Sequence, residues 1–315
     1  FERGKFLLNE PLYEYFPEYR DTQVFVTKPD GSVDTRKAKS PMLIKHAFSM
    51  AVGMPYPFGN LPTAREMERV KQELHNKHGK YDIVTEVKAM GSVPVAFDPG
   101  THWLYGYGHD IVAGLIQVVS GKTVGRFLQD EIFDPLGMKD TGYRYRDGIE
   151  GRMATYYRRD ETGKMTKAPS FLDMFHAPDA LYESGGAGLY STVRDYLSFS
   201  QMLANGGIYN GQRIIGRKTI ELMCGNQLND DQLKDYQNSY LAGYGYGLGV
   251  RTMLCPALGH SNGSVGEFGW TGMLGTYVSI DPKERSSIVY MHQMDPNMEE
   301  YHHLRVRAVA NGCLE

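Results

Sequence analysis

Residues 97–107 read FDPGTHWLYGY and stand just before an apolar pattern at 110–120. In that pattern apolar residues recur at helical spacing, and Gly121 follows as a helix end. The pattern predicts a helix with one face in the core. The segment therefore places Tyr105 immediately before a core helix.

Three further stretches follow in chain order, and the texture of the sequence changes along them. They read IFDPLGMKDT at 132–141, GGAGLYST at 185–192 and GWTGMLGT at 269–276. Thr123 and Thr192 stand where helix caps are expected, and Thr63 with Glu66 forms a capping-box pattern before a charged helix. Beyond residue 240, glycine-punctuated apolar runs predict antiparallel strands at Gly243–Val250, Gly269–Ile280 and Ser287–His292, with a turn at 281–285.

Helices first and a strand meander last predict one mixed α/β (α+β) domain with two lobes. One lobe is an antiparallel sheet flanked by helices, and the other is mainly helical. We place the helical lobe at about 30–200 and the sheet lobe at about 1–29 and 201–315.

Composition excludes several classes of protein. The 315 residues carry a net charge of −3, which disfavours nucleic acid and anionic membranes as partners. No apolar run approaches the roughly 18 to 20 residues that span a bilayer. The cysteines, Cys224, Cys255 and Cys313, form no C-x-x-C pair, and no H-E-x-x-H motif is present. We therefore expect no metal or other cofactor, and the unpaired cysteines favour a cytoplasmic location. None of these features decides the oligomeric state.

One motif formally matches a nucleophile elbow. Residues 259–263 read GHSNG, the G-x-S-x-G pattern, around Ser261. An elbow requires a strand that turns sharply into a helix, and the glycine-rich sequence at 264–270 does not favour a helix. The pattern is more typical of a loop between strands.

Taken in order, the quoted stretches resemble the serine β-lactamase-like family of the penicillin-binding-protein fold, in particular its class C β-lactamases and family VIII carboxylesterases. The resemblance covers essentially the whole chain. It implies that Tyr105 is the family's proton-carrying tyrosine. It also implies that Trp270, Thr271 and Gly272 form the pocket strand, which in the family reads Lys-Thr-Gly, His-x-Gly or Trp-x-Gly.

Physical chemistry supports these assignments. A phenol has an ordinary pKa near 10, so Tyr105 can act as a base only beside a cation, which the family's lysine supplies. A substrate acyl group can lie along an edge strand at Trp270, where the Met273 N–H points at a developing oxyanion. Without the resemblance, Tyr105 would be better read as one of 22 tyrosines packed at a helix start, and Trp270 as a core aromatic.

The largest departure from the family pattern concerns the nucleophile. The family carries a Ser-x-x-Lys pair, and these residues contain none. In the family that pair lies shortly before a helix end similar to Phe1–Lys5. We therefore expect the serine, its lysine and the first sheet strands to precede Phe1.

Two smaller departures bear on the substrate. Tyr107 stands where β-lactamases carry an asparagine that binds the antibiotic's amide, and Trp270 replaces a lysine suited to a carboxylate. Aromatic walls without that cation fit a neutral ester better than an anion. The sequence thus predicts a serine hydrolase of small-molecule esters or amides, most simply a carboxylesterase. A β-lactamase or D-amino-acid peptidase is the alternative within the enzyme class, and an inactive ligand-binding homologue is the alternative outside it.

Overall fold

The computed structural model describes residues 1–57, 59–149, 151–237 and 239–315, with Ser239 described by its backbone alone. It divides into two compact units. The first comprises Phe1–Phe127, Asp179–Gly188 and Gln227–Tyr236, and the second Leu128–Pro178, Leu189–Asn226 and Gln237–Glu315. The first unit thus takes in residues 1–29, and the second takes in 128–178. The lobe boundaries drawn from the sequence stay a prediction.

The helices are distributed over the whole chain. They are α1 (Ile44–Phe48), α2 (Pro62–His78), α3 (Ile83–Met90), α4 (Gly108–Ser120), α5 (Val124–Leu128), α6 (Asp134–Leu136), α7 (Asp173–His176), α8 (Val193–Ala204), α9 (Arg217–Cys224), α10 (Asp230–Tyr236) and α11 (Glu299–Asn311). Short 3-10 turns at Leu12–Glu14, Pro17–Tyr19 and Ser239–Leu241, and a π turn at Gln129–Phe133, complete the helical part of the described chain.

The strands form one larger sheet and several short pairs. They are β1 (Gln23–Thr27), β2 (Val33–Lys37), β3 (Tyr157–Arg159), β4 (Met165–Lys167), β5 (Ile208–Tyr209), β6 (Gln212–Arg213), β7 (Tyr244–Tyr246), β8 (Arg251–Met253), β9 (Phe268–Thr271), β10 (Tyr277–Asp281), β11 (Ser286–Tyr290) and β12 (Met294–Asp295). Strands β7 to β11 lie in the antiparallel order β11-β10-β9-β8-β7. This meander confirms antiparallel strands beyond residue 240. The run predicted at Gly269–Ile280 is, however, two strands, β9 and β10, joined by a turn at 272–276.

In the first unit, α1 and α3 pack on α4 and α2 packs on α3, and the unit also contains the β1–β2 hairpin. Gly114 of α4 lets α3 approach closely, because a Cβ there would lie 2.9 Å from Val87 Cγ2. Ile111 and Leu115 are buried, and Gly121 ends α4 in the left-handed conformation. The predicted core helix is therefore confirmed.

The second unit buries its core between α8 and the sheet. Helix α8 packs on β10 and β11. The buried cluster comprises Phe133, Leu136, Met138, Met202, Leu203, Ala204, Ile220, Phe268, Val278 and Ile280. Val278 and Ile280, which are alternate residues of β10, thus lie in the core beside α8.

Two of the three predicted helix caps are present in the structure. Thr123 and Thr192 accept hydrogen bonds from the N–H groups of Arg126 and Asp195, at 3.2 and 3.1 Å, as caps do. The capping box predicted at Thr63 is wrong. Pro62 begins α2 one residue earlier, and the Thr63 hydroxyl donates instead to the Pro94 carbonyl at 3.0 Å.

Two further expectations concern loops and membranes. The G-x-S-x-G pattern lies in turns between β8 and β9, as predicted.

Within the described ranges, no single helix is long and apolar enough to cross a membrane. Only the bent pair Gly108–Ser120 and Val124–Leu136, at 76°, meets that length and composition test.

Candidate active site

Tyr105 lies on an extended segment fixed by backbone contacts immediately before α4. The Leu104 and Tyr107 N–H groups donate to the carbonyls of Met50 and Met54, each at 2.9 Å. Gly106 makes this approach possible, because a Cβ there would lie 2.0 Å from the Met54 oxygen. The backbone on both sides of Tyr105 is therefore held tightly. Its side chain is 37% exposed, so the ring reaches the surface of its unit.

Aromatic rings surround Tyr105 on its buried side. The Tyr56 ring packs edge-on against Tyr105 at 5.8 Å and against Tyr107 at 4.6 Å between centroids. The Trp103 ring lies 6.3 Å from the Tyr105 ring between centroids. Two neighbouring rings therefore restrict the orientation of the Tyr105 phenol.

Tyr107 is 2% exposed, so a substrate reaches it only if the residues over it move. Its hydroxyl lies 3.4 Å from Lys71 Nζ, which also sits 3.3 Å from a Glu86 carboxylate oxygen. Burial, followed by the charges of Glu86 and Asp110, raises the pKa of the Tyr107 phenol. The phenol is therefore protonated at neutral pH.

A buried carboxylate organises the residues behind Tyr56. Asp110 is 1% exposed and accepts hydrogen bonds from Ser184 Oγ at 2.5 Å, the Gly185 N–H at 3.2 Å and the Tyr56 hydroxyl at 3.1 Å. Burial, and next the Asp110 charge, raises the pKa of the Tyr56 phenol. Tyr56 therefore stays a hydrogen-bond donor, and its ring orientation is fixed.

The second group of predicted residues lies at the end of β9. Trp270 pairs with Val278 of β10, and its half-buried ring packs edge-on against Tyr246 at 5.2 Å. Thr271 pairs with Tyr277. β9 as a whole is not an edge strand, because β8 pairs with it at Arg251–Gly269 and Thr252–Phe268. This register ends before Trp270, so an acyl group lying along Trp270 and Thr271 stays a prediction. That pairing depends on residues some twenty positions away, which local patterns do not report.

Gly272 and Met273 form the turn after β9. A Cβ on Gly272 would lie 2.0 Å from Thr276 Oγ1, which explains the glycine there. The Met273 side chain is 62% exposed. Its N–H has no hydrogen-bond partner among the described residues. An unpaired N–H at a strand end is a donor that an oxyanion can use.

The structure therefore groups the predicted residues into two sets. Trp270, Thr271, Gly272 and Met273 stand together in the second unit, and Tyr105 and Tyr107 stand together in the first. In the described parts of the chain, no group of three or more His, Cys, Asp or Glu residues could hold a metal ion.

Sequence reasoning missed the polar network of Lys71, Glu86 and Asp110. The sequence does contain one indication of this network. Asp110 lies at the start of an apolar core helix, and a carboxylate buried there must accept hydrogen bonds from other groups. The Glu86 carboxylate is 1% exposed and accepts from the Tyr182 hydroxyl at 2.7 Å. Its partner is 96 residues away in sequence, beyond the reach of a local pattern.

Comparison with known proteins identifies the family that this sequence matches. The model of the Beta-lactamase family matches residues 1–311. Protein Rv1367c of Mycobacterium tuberculosis (strain ATCC 25618 / H37Rv) is 26% identical over 306 residues, which cover 94% of this chain and 73% of that protein.

Two solved structures show the same fold. Unliganded, selenomethionyl Simvastatin Synthase (LovD) from Aspergillus terreus has a TM-score of 0.81 at 21% identity, over 99% of this chain and 79% of that one. EstCE1, described as a hydrolase with promiscuous acyltransferase activity, has a TM-score of 0.75 at 18% identity, over 99% and 80%. These likenesses confirm the predicted mixed α/β fold of β-lactamase/transpeptidase type. Because the family model matches nearly its whole length, the chain belongs to the Beta-lactamase family.

Proposed function

We propose that the complete protein is a serine hydrolase of small neutral carboxylic esters. It acts through an acyl-enzyme on a serine that precedes Phe1, with Tyr105 as proton carrier and the Met273 N–H as oxyanion donor. Trp270, Thr271 and Gly272 would line the acyl pocket, and Tyr107 would reach the substrate if its cover opens. Family membership and the hydrolase in the EstCE1 description support this proposal.

The reaction would proceed in two balanced steps. In acylation, the serine oxygen bonds to the ester carbonyl carbon while its proton passes to the Tyr105 phenolate. The carbonyl oxygen becomes an oxyanion that accepts from the Met273 N–H. The alkoxide then leaves with the proton from Tyr105. In deacylation, water attacks the acyl-enzyme, Tyr105 takes the water's proton, and that proton returns to the serine oxygen as the acid departs.

One observation carries the choice of a neutral ester. Residues 268–277, which include β9, its turn and the start of β10, read FGWTGMLGTY and contain no charged side chain. By the family resemblance, the half-buried Trp270 takes the place of the lysine that would bind a carboxylate. An acyl group beside this strand would meet apolar surface and the Met273 N–H, which has no partner among the described residues. Anionic β-lactams would lose hydration there without gaining an ion pair.

The test compares two substrates on the full-length protein. We expect kcat/KM for p-nitrophenyl butyrate to exceed that for nitrocefin by at least about 100-fold, the discrimination that one well-placed or missing polar contact gives. Faster turnover of nitrocefin would contradict the ester proposal and support a β-lactamase. Turnover of neither substrate, with both still binding, would support the inactive homologue.

Labelling locates the nucleophile independently of substrate choice. A fluorophosphonate probe should modify one serine in a tryptic peptide that precedes Phe1, because it forms a stable adduct only with an activated serine. Ser261, which lies in the turn between β8 and β9, serves as the internal comparison and should stay unmodified. Modification of Ser261 would overturn the proposed location.

Acyl transfer is a second candidate, favoured by the transferase activity in the EstCE1 description. The same acyl-enzyme would react with an alcohol instead of water. Adding an alcohol acceptor during p-nitrophenyl butyrate turnover separates the two functions. A transferase yields new ester in proportion to the acceptor, whereas a strict hydrolase yields only butyrate.

A further inference from the structure

The turn after β9 is held from one side by the segment at residues 294–303. Its carbonyls accept hydrogen bonds from Met294 N–H, Asn297 Nδ2 and His303 Nε2. The Met294 N–H donates to Leu274 O at 2.9 Å, and His303 Nε2 donates to Gly275 O at 3.0 Å. Asn297 Nδ2 donates to both Gly272 O, at 3.4 Å, and Met273 O, at 3.2 Å. Every carbonyl of residues 272–275 is thus bound by this segment, and the Gly272 carbonyl also accepts from the Gly275 N–H within the turn, at 2.9 Å.

The geometry of the peptide bond links these contacts to the Met273 N–H. The Gly272 carbonyl and the Met273 N–H belong to one peptide unit, which is planar and trans, so they point in opposite directions. Asn297 binds the carbonyl side of that unit. The N–H therefore projects away from Asn297, and it has no partner among the described residues.

Asn297 is itself held in one orientation. Its Oδ1 accepts from the Glu299 N–H at 3.0 Å at the start of α11. Its backbone carbonyl lies 3.0 Å from His292 Nε2, which must carry the proton because a carbonyl only accepts. With Oδ1 engaged by α11, Nδ2 is left to face the turn. The amide therefore connects the start of a helix to the turn after β9.

We propose that Asn297 is a positioning residue that orients the Met273 N–H for the oxyanion. This inference rests on the proposed function, because it assigns that N–H a role in acyl transfer. Asn297 does not touch the substrate in this scheme. It acts through the Gly272–Met273 peptide. The Gly275 N–H also binds the Gly272 carbonyl, so loss of the Asn297 donor would tilt that peptide rather than release it.

The test is Asn297→Asp in the full-length protein. Aspartate keeps the shape and the Oδ1 acceptor for Glu299, and it replaces the Nδ2 donor with an oxygen that repels the Gly272 and Met273 carbonyls. We expect kcat for p-nitrophenyl butyrate to fall about 10- to 100-fold, less than the 10²–10³-fold of losing an oxyanion donor outright. KM should stay within about twofold, because ground-state binding is unchanged.

A transition-state analogue provides a readout that a structural role would not move. The tetrahedral serine adduct of phenylboronic acid places an oxygen at the oxyanion position, so its Ki should rise by the same factor as kcat falls. The Tm should change by less than about 3 °C, because the helix contact survives. A lower Tm with unchanged kcat per titrated active site would mean a merely structural role and would overturn the inference.

The matched control is Asn229→Asp. Asn229 Oδ1 accepts from the N–H groups of Asp231 and Gln232, at 3.1 and 2.9 Å, at the start of α10. It undergoes the same chemical change at another helix start, with no turn carbonyl bound by its side chain among the described residues. Its kcat and boronate Ki should equal those of the wild type.

Amide NMR separates failure of this inference from failure of the proposed function. With ¹⁵N-methionine labelling, the Met273 amide resonance should shift in Asn297→Asp and stay in place in Asn229→Asp. If the wild type hydrolyses no ester but the resonance shifts, the proposed function fails while Asn297 still orients the peptide. If the wild type is active and Asn297→Asp leaves kcat and the resonance unchanged, the inference fails and the function stands.

Discussion

Acidification should destabilise the protein through His46, a residue of α1 that is 9% exposed. Its Nδ1 accepts a hydrogen bond from the Leu43 N–H at 3.2 Å, which requires the neutral ring. Gly100 packs so closely that a Cβ there would lie 2.6 Å from the ring Nε2. Burial, and next the Lys45 charge, lowers the pKa of His46 from 6.5 to about 4.

The direction and size of the effect follow from linkage. Between pH 6.5 and 4 the unfolded chain binds a proton that the folded chain does not, so stability is full above 6.5 and is lost as the pH falls toward 4. With these two pKa values, the free energy of unfolding falls by about 1.4 kcal/mol at pH 5.5 and by about 2.6 kcal/mol at pH 4.5. The complete loss at still lower pH is about 3 kcal/mol.

The assay compares the wild type with His46→Asn by urea unfolding at pH 7.5, 5.5 and 4.5. Asparagine places an acceptor oxygen near the Nδ1 position and does not titrate. The variant should be less stable at pH 7.5 because it packs less surface. The difference in free energy of unfolding between the two proteins should then shrink by about 1.4 kcal/mol at pH 5.5. Groups that titrate equally in both proteins cancel. A difference that is constant from pH 7.5 to 4.5 would refute this reasoning. His78→Asn, the same change at an exposed site on α2, is the matched control.

Two further substitutions test the site around Tyr105. Tyr105→Phe should lower kcat of the full-length enzyme by about 10²–10⁴-fold, as for other general acid–base groups, with the Tm almost unchanged. Tyr209→Phe, which removes a hydroxyl 3.1 Å from Ser198 Oγ, should leave kcat intact, and equal kcat in both variants would remove Tyr105 from the mechanism. Gly106→Ala should lower the free energy of unfolding by about 3 kcal/mol or more, because its Cβ would lie 2.0 Å from the Met54 oxygen. Gly151→Ala, with no atom within 4 Å of its Cβ, should stay within about 0.5 kcal/mol of the wild type, and equal losses in the two glycine variants would contradict the packing argument.

Parts of the candidate site were predictable because they depend on short stretches of chain. Tyr105 precedes a core helix whose apolar spacing and terminal Gly121 are visible in sequence. The end of β9 is visible as an apolar run bounded by glycines. The network behind Tyr107 was not predictable, since Glu86 and Asp110 are ordinary carboxylates in sequence. They become buried hydrogen-bond acceptors when distant donors, such as Tyr182 and Ser184, pack against them.

Local sequence patterns were enough to predict the helix before which Tyr105 stands, the strand that carries Trp270 and the family likeness of both. These follow from side-chain periodicity and turn residues, which act over a few positions. The tertiary structure decided that β9 lies inside the sheet and that Asn297 and His303 bind the turn after it. It also decided that Tyr107 is buried. Strand order, burial and hydrogen bonds between distant residues depend on which surfaces meet when the chain packs, and no local pattern specifies that choice.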